Sequence, residues 1–412
     1  MDTLRDAEFT IIGGGAIGCA VAYHLAEAGY TDVQLLEAGE LAGATTSKAA
    51  GLVGQVRTSA ERTRLAMASV RLFTDFARRT GYPVDWRQTG SIRIAYTEPR
   101  EQEFHRMAAV AESVGLGVEF LAPARLAELV PGIDTSRVRA ALHCPTDGYL
   151  QPHSLTTAYA RAARDRGVRL VPHAPVRGIA VRDGAVCGVR TDAGEIRTET
   201  VINAAGPWAH RIAAMVGLDL PIVPVRHQYY VTEPVDGWHP ELPVLRIPDA
   251  RLYVRAEISG VLCGGWEANA DSRDPRELTG GGLWPCPPDW DVLAGFAGDL
   301  AELLPGTAEA GPREVFRGWP AFTPDGRFVV GPVPGLRGFV FAAGCNAHGV
   351  SGSAGLAEHV LASMRPDPSP YVASLSPRRF MSADWTWAQA EHAARGVYQD
   401  YYAGLAAAAQ GG

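Results

Sequence analysis

Gly13, Gly15 and Gly18 spell GxGxxG. Gly13 permits a tight turn, Gly15 lets the backbone approach a pyrophosphate, and Gly18 lets a helix pack closely on a strand. The amides at Ala16 and Ile17 then lie at the positive end of that helix, where phosphates bind. Glu37, placed where this fingerprint calls for an acid, would accept hydrogen bonds from ribose hydroxyls and repel a 2′-phosphate, which disfavours NADP. Ala38 follows it at the same strand end. NAD and FAD share the motif, and two later segments favour FAD. In TVINAAGPWA at 200–209, a buried strand ends in Ala204, Ala205 and Gly206 before Trp208, which suits a backbone passing close to a flat ligand. GFVFAAGCNAHGVSGSAG at 338–355 repeats strand, glycine turn and helix, bringing Gly344, Asn346, His348, Gly349, Val350 and Ser351 to the site. Val176 completes this set. Lys48 is the single lysine among 38 lysines and arginines. It stands in the loop Thr45, Thr46, Ser47, Lys48, Ala50, Gly51, Leu52, which follows the dinucleotide motif, although either cation serves on a solvated surface.

These residues need particular elements to hold them. Phe9–Ile12 reads as a strand, Ala16–Ala28 as a helix ending at Gly29, and Val33–Leu36 as a second buried strand, giving a Rossmann-type β-α-β unit. Ser59–Arg79 reads as a long amphipathic helix packing beneath the loop Thr45–Arg57. Strands are expected at Ser91–Tyr96, Arg169–Val171, Val186–Arg190, Glu195–Ile202, Pro221–Glu233, Leu252–Ala256, Val261–Trp266, Phe328–Val330 and Gly338–Phe341. Helices are expected at Pro99–Val114, Pro123–Leu129, after GYLQPHSL (148–155) to about Arg166, Asp289–Leu304 and Leu356–Ser363. The fold class is α/β, α+β overall: a discontinuous FAD domain (1–90, 140–220 and 322–412) and a substrate domain with an antiparallel sheet (91–139 and 221–321). The final GLAAAAQGG reads as frayed.

The chain's 412 residues exceed what one core usually fills. Its net charge is −7 without long runs of like charge, so neither nucleic acid nor an anionic membrane is an expected partner. Six cysteines are scattered without a CxxC pair, suggesting neither a disulfide framework nor a metal site. The start, MDTLRDAEFTIIGGG, fits neither a signal nor a transit peptide, and a cytoplasmic location is expected.

With the dinucleotide fingerprint, TSKAAGLV at 46–53, DGYLQP at 147–152, VINAAGPW, PVRHQYYVTEP at 224–234, FTPDGRFVVGPVP at 322–334, GCNAHGV and LSPRRF at 375–380, the chain resembles the D-amino-acid oxidase superfamily of flavoproteins. Within it the chain is most similar to the dimethylglycine dehydrogenase, sarcosine dehydrogenase and sarcosine oxidase group. The resemblance implies an FAD domain supporting a substrate domain, with an amine on the flavin face between them. Those dehydrogenases attach FAD through a histidine where this chain has Lys48, and monomeric sarcosine oxidases through a cysteine where it has Gly318, so non-covalent FAD is expected. The oxidases' oxygen-activating lysine matches Leu262 and their carboxylate-binding lysine Ser351. Lys48 is therefore the candidate cation over the flavin. The dehydrogenases continue into a folate-binding domain, and ending at Gly412 implies that an iminium product is hydrolysed by water.

Flavin-dependent amine oxidation needs a neutral amine held near the ring rather than a strong base. His348, Tyr229 and Tyr253 are the catalytic candidates beside Lys48, and His227 shares a strand face with Tyr229. For a substrate carboxylate, a bidentate guanidinium is expected. Arg57 is preferred because relatives hold such an arginine after the matching loop, followed by Arg255 and Arg317. Trp208, Trp266 and Trp319 are candidates to line an apolar pocket. The expected reaction is oxidation of an N-alkyl amine or amino acid to an imine or iminium, with O2 or an electron-transfer protein as acceptor. The alternatives are a D-amino-acid or glycine oxidase, an NAD-binding dehydrogenase, and a non-catalytic flavin-binding protein.

Overall fold

The computed structural model describes residues 3–277, 284–381 and 384–402; the run GLAAAAQGG lies outside them. The N-terminal unit forms as its hydrophobic pattern dictates. Ala7–Ile12 and Val33–Leu36 pair in parallel around the helix Ala16–Glu27, with Gly29 in the left-handed region (φ +92°) just past its end. The parallel sheet runs in the order Leu336–Ala343, Gly194–Asn203, Ala7–Ile12, Val33–Leu36, Arg169–Val171. Adjacent residues of its first strand feed opposite faces. Ile11 joins the core shared with the helices Ala16–Glu27, Ala60–Thr80, Pro152–Asp165 and Ser353–Ser363, and Ile12 joins the core around Ile212, Phe339 and Phe341. Burial on both sides is why these strands read as continuous apolar runs.

The helix Ala60–Thr80 is capped by Ser59 and stopped by Gly81 at φ +79°. Its chief neighbour among the helices is Ser353–Ser363, where the Gly355 amide donates to Ser69 Oγ at 3.0 Å, and its Met67 packs on the cluster around Val56 of the expected loop.

The second sheet runs Pro312–Gly318, His227–Thr232, Gly260–Gly265, Leu252–Glu257, Val244–Ile247, Ser91–Ala95, Ala140–Cys144, Glu119–Phe120. It is antiparallel except where Val244–Ile247 meets Ser91–Ala95. Three features differ from the sequence reading. Ala140–Cys144, placed there with the nucleotide-binding pieces, pairs with Ser91–Ala95. Pro221–Glu233 is not one strand: Val223–Pro224 pairs with Ala321–Phe322, the Arg226 amide turns away to Asp271 O, and His227 begins the larger sheet. The unread helix Trp387–Gln399, with a Thr386 and Gln389 capping box, lies across the strand Ala321–Phe322. Among the described residues, no helix is long and apolar enough to cross a membrane.

Candidate functional site

At the C-terminal ends of the first parallel strands the chain builds a cradle. Gly13 has φ +114°, and a Cβ there would come within 2.5 Å of Ala204 O; at Gly18 a Cβ would collide with Gly13 O. Only glycine allows the strand ends and helix to approach this closely. Gly15 differs. A Cβ there would meet only Thr46 Oγ1, at 3.1 Å, because this glycine faces open space. The Ala16 amide at the helix start donates to Thr46 Oγ1 at 3.1 Å. Glu37 accepts from the Gly14 amide at 2.6 Å and the Gly39 amide at 2.8 Å, which fixes a carboxylate at the lip of the cradle. Ala38 follows it, and Val176 packs on the core that contains Leu36 and Val171.

A cavity of about 1160 Å³, counting its mouth, opens beside this cradle. Of the residues assigned to a dinucleotide from sequence, Gly15, Ala16, Ile17, Thr45, Thr46, Lys48, Ala50, Gly51, Leu52, Ala204, Gly206, His348, Gly349, Val350 and Ser351 line it. The others serve the surrounding frame. Ser47 Oγ donates to Ala44 O within its own turn. Asn346, at φ +45°, accepts from the Thr323 amide and donates to Gly344 O, pinning the C-terminal glycine turn. Ala205 accompanies Gly206 at the strand end, and Trp208 stacks on Trp284 away from the cavity (ring centroids 6.2 Å, 17°).

The opposite wall is the second sheet. Arg246, Tyr253, Gly264 and Tyr229 lie in one row across neighbouring strands and therefore share a face. A Cβ at Gly264 would strike both tyrosines, so the glycine leaves room for their rings. His227 joins Tyr253 OH through Nε2 at 2.7 Å and Tyr398 OH through Nδ1 at 3.0 Å. Burial lowers its pKa to about 4, so the ring is neutral and one phenol must donate to it. His348 is also kept neutral, by burial and by the charges of Arg57 and Arg62. Its Nδ1 donates to Asn346 O at 2.8 Å, which leaves Nε2 to accept from Tyr401 OH at 3.0 Å. Tyr401 stacks on Trp266 at 3.6 Å.

Three nominated side chains are engaged away from the cavity. Tyr229 OH donates to Ala49 O at 3.3 Å, and Arg255 Nε donates to Ala50 O at 2.8 Å, so both brace the loop that carries Lys48. Arg255 is further tied up by Glu257 at 2.5 Å and by the Tyr149 ring. Arg317 Nε donates to Cys286 O at 2.7 Å. None of the three lines the cavity, whereas Arg57, His227 and Tyr253 do. Sequence reasoning missed Arg246, Tyr398 and Tyr401. Arg246 had a usable signal, an arginine within an apolar four-residue strand; Tyr398, in the last turn of the helix Trp387–Gln399, and Tyr401, just past it, carry no comparable mark. Lys48 lines the cavity against Gly318, where a Cβ would lie 3.2 Å from Lys48 Cβ.

The residues present fit a dinucleotide carrying a flat ring. There is a glycine helix start open to solvent, an acid at the ribose position, and a broad cavity between two strand-to-helix turns. Comparison with known proteins agrees. The sequence model of the family described as DAO, FAD dependent oxidoreductase, matches residues 8–363. The chain is 33% identical over 393 residues to mitochondrial dimethylglycine dehydrogenase of Rattus norvegicus, covering 93% of this chain and 46% of that protein. It is 32% identical over 350 residues to 4-methylaminobutanoate oxidase (formaldehyde-forming) of Paenarthrobacter nicotinovorans, covering 85% and 42%. It thus spans less than half the length of these relatives. The solved L-proline dehydrogenase from P. horikoshii superposes with a TM-score of 0.82 at 25% identity, covering 92% of this chain and 98% of that one. The chain belongs to the DAO family of FAD-dependent oxidoreductases.

Proposed function

We propose that the chain oxidises the C–N bond of a secondary or tertiary amine that carries an anionic group, using non-covalently held FAD. The observation that carries this reading is a single cavity joining the glycine cradle to two guanidinium groups, Arg57 and Arg246, and two neutral imidazoles, His227 and His348. Positive charge in a poorly solvated cavity disfavours a protonated amine and favours the free base. A guanidinium of this pair holds the substrate's anionic group, which fixes the substrate's orientation. In this reading Tyr253 OH, tethered by His227, hydrogen-bonds the amine nitrogen, while Trp266 and Tyr401 exclude water from one side. When bound, the flavin supplies the acceptor for the hydride leaving the substrate carbon. The nitrogen lone pair then completes a C=N bond, and water hydrolyses the resulting iminium to an aldehyde and the dealkylated amine. Lys48 is assigned as the cation that favours electron transfer from reduced flavin to O2, with an electron-transfer protein the other acceptor considered.

Non-covalent attachment follows from the side chains available: Lys48 and Gly318 occupy the positions where relatives would attach the cofactor. The reading is tested by mixing the purified protein anaerobically with N-methyl amino acids, glycine and D-amino acids while following the flavin absorbance. Bleaching by N-methyl substrates, with formaldehyde on readmission of air, supports it. Bleaching only by primary amines, with release of ammonia, would replace it with a primary amine oxidase, and no bleaching by any amine would refute it.

A further inference from the structure

The anion-binding side of the cavity holds more positive charge than one carboxylate would compensate. Arg93 and Arg246 face each other directly across neighbouring strands, a placement that is unfavourable for like charges. Arg57 Nη1 and Arg93 Nη2 both donate to the single carbonyl of Val56, at 3.0 and 3.1 Å. Three guanidinium groups therefore meet around the segment Gly54–Arg57. The acid beside them is Asp147, which is buried and already accepts from Ser91 Oγ at 2.5 Å, the Gln55 amide at 2.8 Å and Gln55 Nε2 at 3.0 Å. A Cβ at Gly54 would lie 3.3 Å from Asp147 Oδ2 and 3.4 Å from Arg246 Nη2, so the carboxylate flanks the cluster. Even so, among the described residues no ion pair within 4.0 Å joins Arg57, Arg93 or Arg246 to a carboxylate.

Although burial disfavours its charge, the Tyr402 and Tyr401 phenols and the Asp147 carboxylate hold Arg246 above its ordinary value, yet among the described residues it makes no ion pair. It is 8% exposed, it lines the cavity, and its Nε has no hydrogen-bond partner. Arg57 also lines the cavity but from a different element, the loop after Lys48, and its guanidinium is pushed down to about 10 by burial and by the neighbouring Arg246, Arg93 and Arg62. A buried guanidinium without a counter-charge is costly, and an anion delivered by a ligand relieves that cost. One carboxylate saturates one guanidinium in the bidentate geometry, which leaves the second still uncompensated.

We propose that Arg57 and Arg246 form two separate anion subsites and that the substrate is an N-substituted amino dicarboxylate, with one carboxylate on each guanidinium. This rests on the amine-oxidation reading for its nitrogen, but the anion pair can be tested without turnover. Succinate and acetate would be titrated into the holoenzyme and read by perturbation of the flavin spectrum. Anaerobic flavin reduction would be compared for N-methylaspartate and N-methylalanine, both enantiomers of each. The dicarboxylate of each pair should bind at least about tenfold more tightly, as expected for one added charge-assisted pair. In Arg246→Met that ratio should collapse to about one, and Arg246→Lys, which keeps the charge without the fork, should restore part of it. The proposal is overturned if the parent protein shows no dicarboxylate preference. It is also overturned if Arg246→Met keeps the preference, or if that substitution weakens both members of a pair equally, which would mean one carboxylate shared by two arginines. Should Arg246→Met not yield folded holoenzyme, the parent comparison and Arg246→Lys decide. A succinate preference without reduction by any amine would refute the amine reading and leave the paired subsites standing.

Discussion

The two glycines of the cradle should fail in different ways when changed to alanine. At Gly18 an added Cβ would lie well inside the 3.0 Å that such atoms keep from their neighbours, and the obstacle is the backbone carbonyl of Gly13, which cannot rotate away. The helix Ala16–Glu27 would have to lift off its strand. Strain of this kind in a packed core costs about 1–3 kcal/mol or more, so Gly18→Ala should lower the thermal midpoint of the protein even without cofactor. At Gly15 the added Cβ meets only Thr46 Oγ1, at 3.1 Å, and otherwise projects into the cavity. Folding should survive with a loss below about 1 kcal/mol, the scale of a changed N-cap. The methyl group would, however, hold a pyrophosphate off the helix amides. Losing one charge-assisted hydrogen bond, about 1.5–3 kcal/mol, corresponds to about 10- to 150-fold in FAD affinity. Circular-dichroism melting of the apoprotein and a fluorescence titration with FAD separate the two effects. A Gly15→Ala protein that binds FAD as the parent does would refute the cradle argument, as would a Gly18→Ala protein with an unchanged apoprotein midpoint.

Other outcomes follow from the same geometry. Lys48→Met should slow reoxidation of reduced flavin by O2 at least about tenfold, measured by stopped flow; an unchanged rate removes Lys48 from that role. Arg226→Met strips the buried Glu267 of its partner at 2.6 Å and Asp289 of its partner at 2.7 Å, and should cost about 3 kcal/mol in urea denaturation. A loss below about 1 kcal/mol would show that Glu267 is relieved in another way. His227 titrates near 4 in the folded chain against 6.5 unperturbed, so the unfolded state binds its proton first as pH falls. Stability should therefore decline as pH drops from about 6.5 to about 4, by at most about 3.4 kcal/mol from this residue. His227→Gln should flatten that slope between denaturation at about pH 7 and about pH 5, and an unaltered slope would contradict the assigned burial.

Much of the fold was legible because its first unit is over-determined: two buried apolar strands, a helix between them and glycines where backbones touch all point to one structure. The site was less legible, and for different reasons at different residues. Tyr229 and Arg255 have the right chemistry and share a face with Tyr253, but pairing register sends their polar ends to Ala49 O and Ala50 O. Nothing local in PVRHQYYVTEP or in LYVRAE at 252–257 encodes that reach. Arg246's signal, a lone arginine in an apolar run, was easy to pass over because Val244–Ile247 is short and followed by Pro248, so it carries little periodicity. Ala140–Cys144 was misplaced because its role depends on pairing with Ser91–Ala95, far away in sequence. Tyr398 and Tyr401 come from the end of the chain, where only tertiary packing brings them to His227 and His348.

The most direct measurement is the visible spectrum of the purified protein, followed by acid precipitation. The geometry of the cradle, with Lys48 and Gly318 at the attachment positions, predicts one flavin per chain that appears entirely in the supernatant. A protein that is colourless and cannot be loaded with FAD would contradict the account, and colour left in the pellet would contradict the non-covalent cradle.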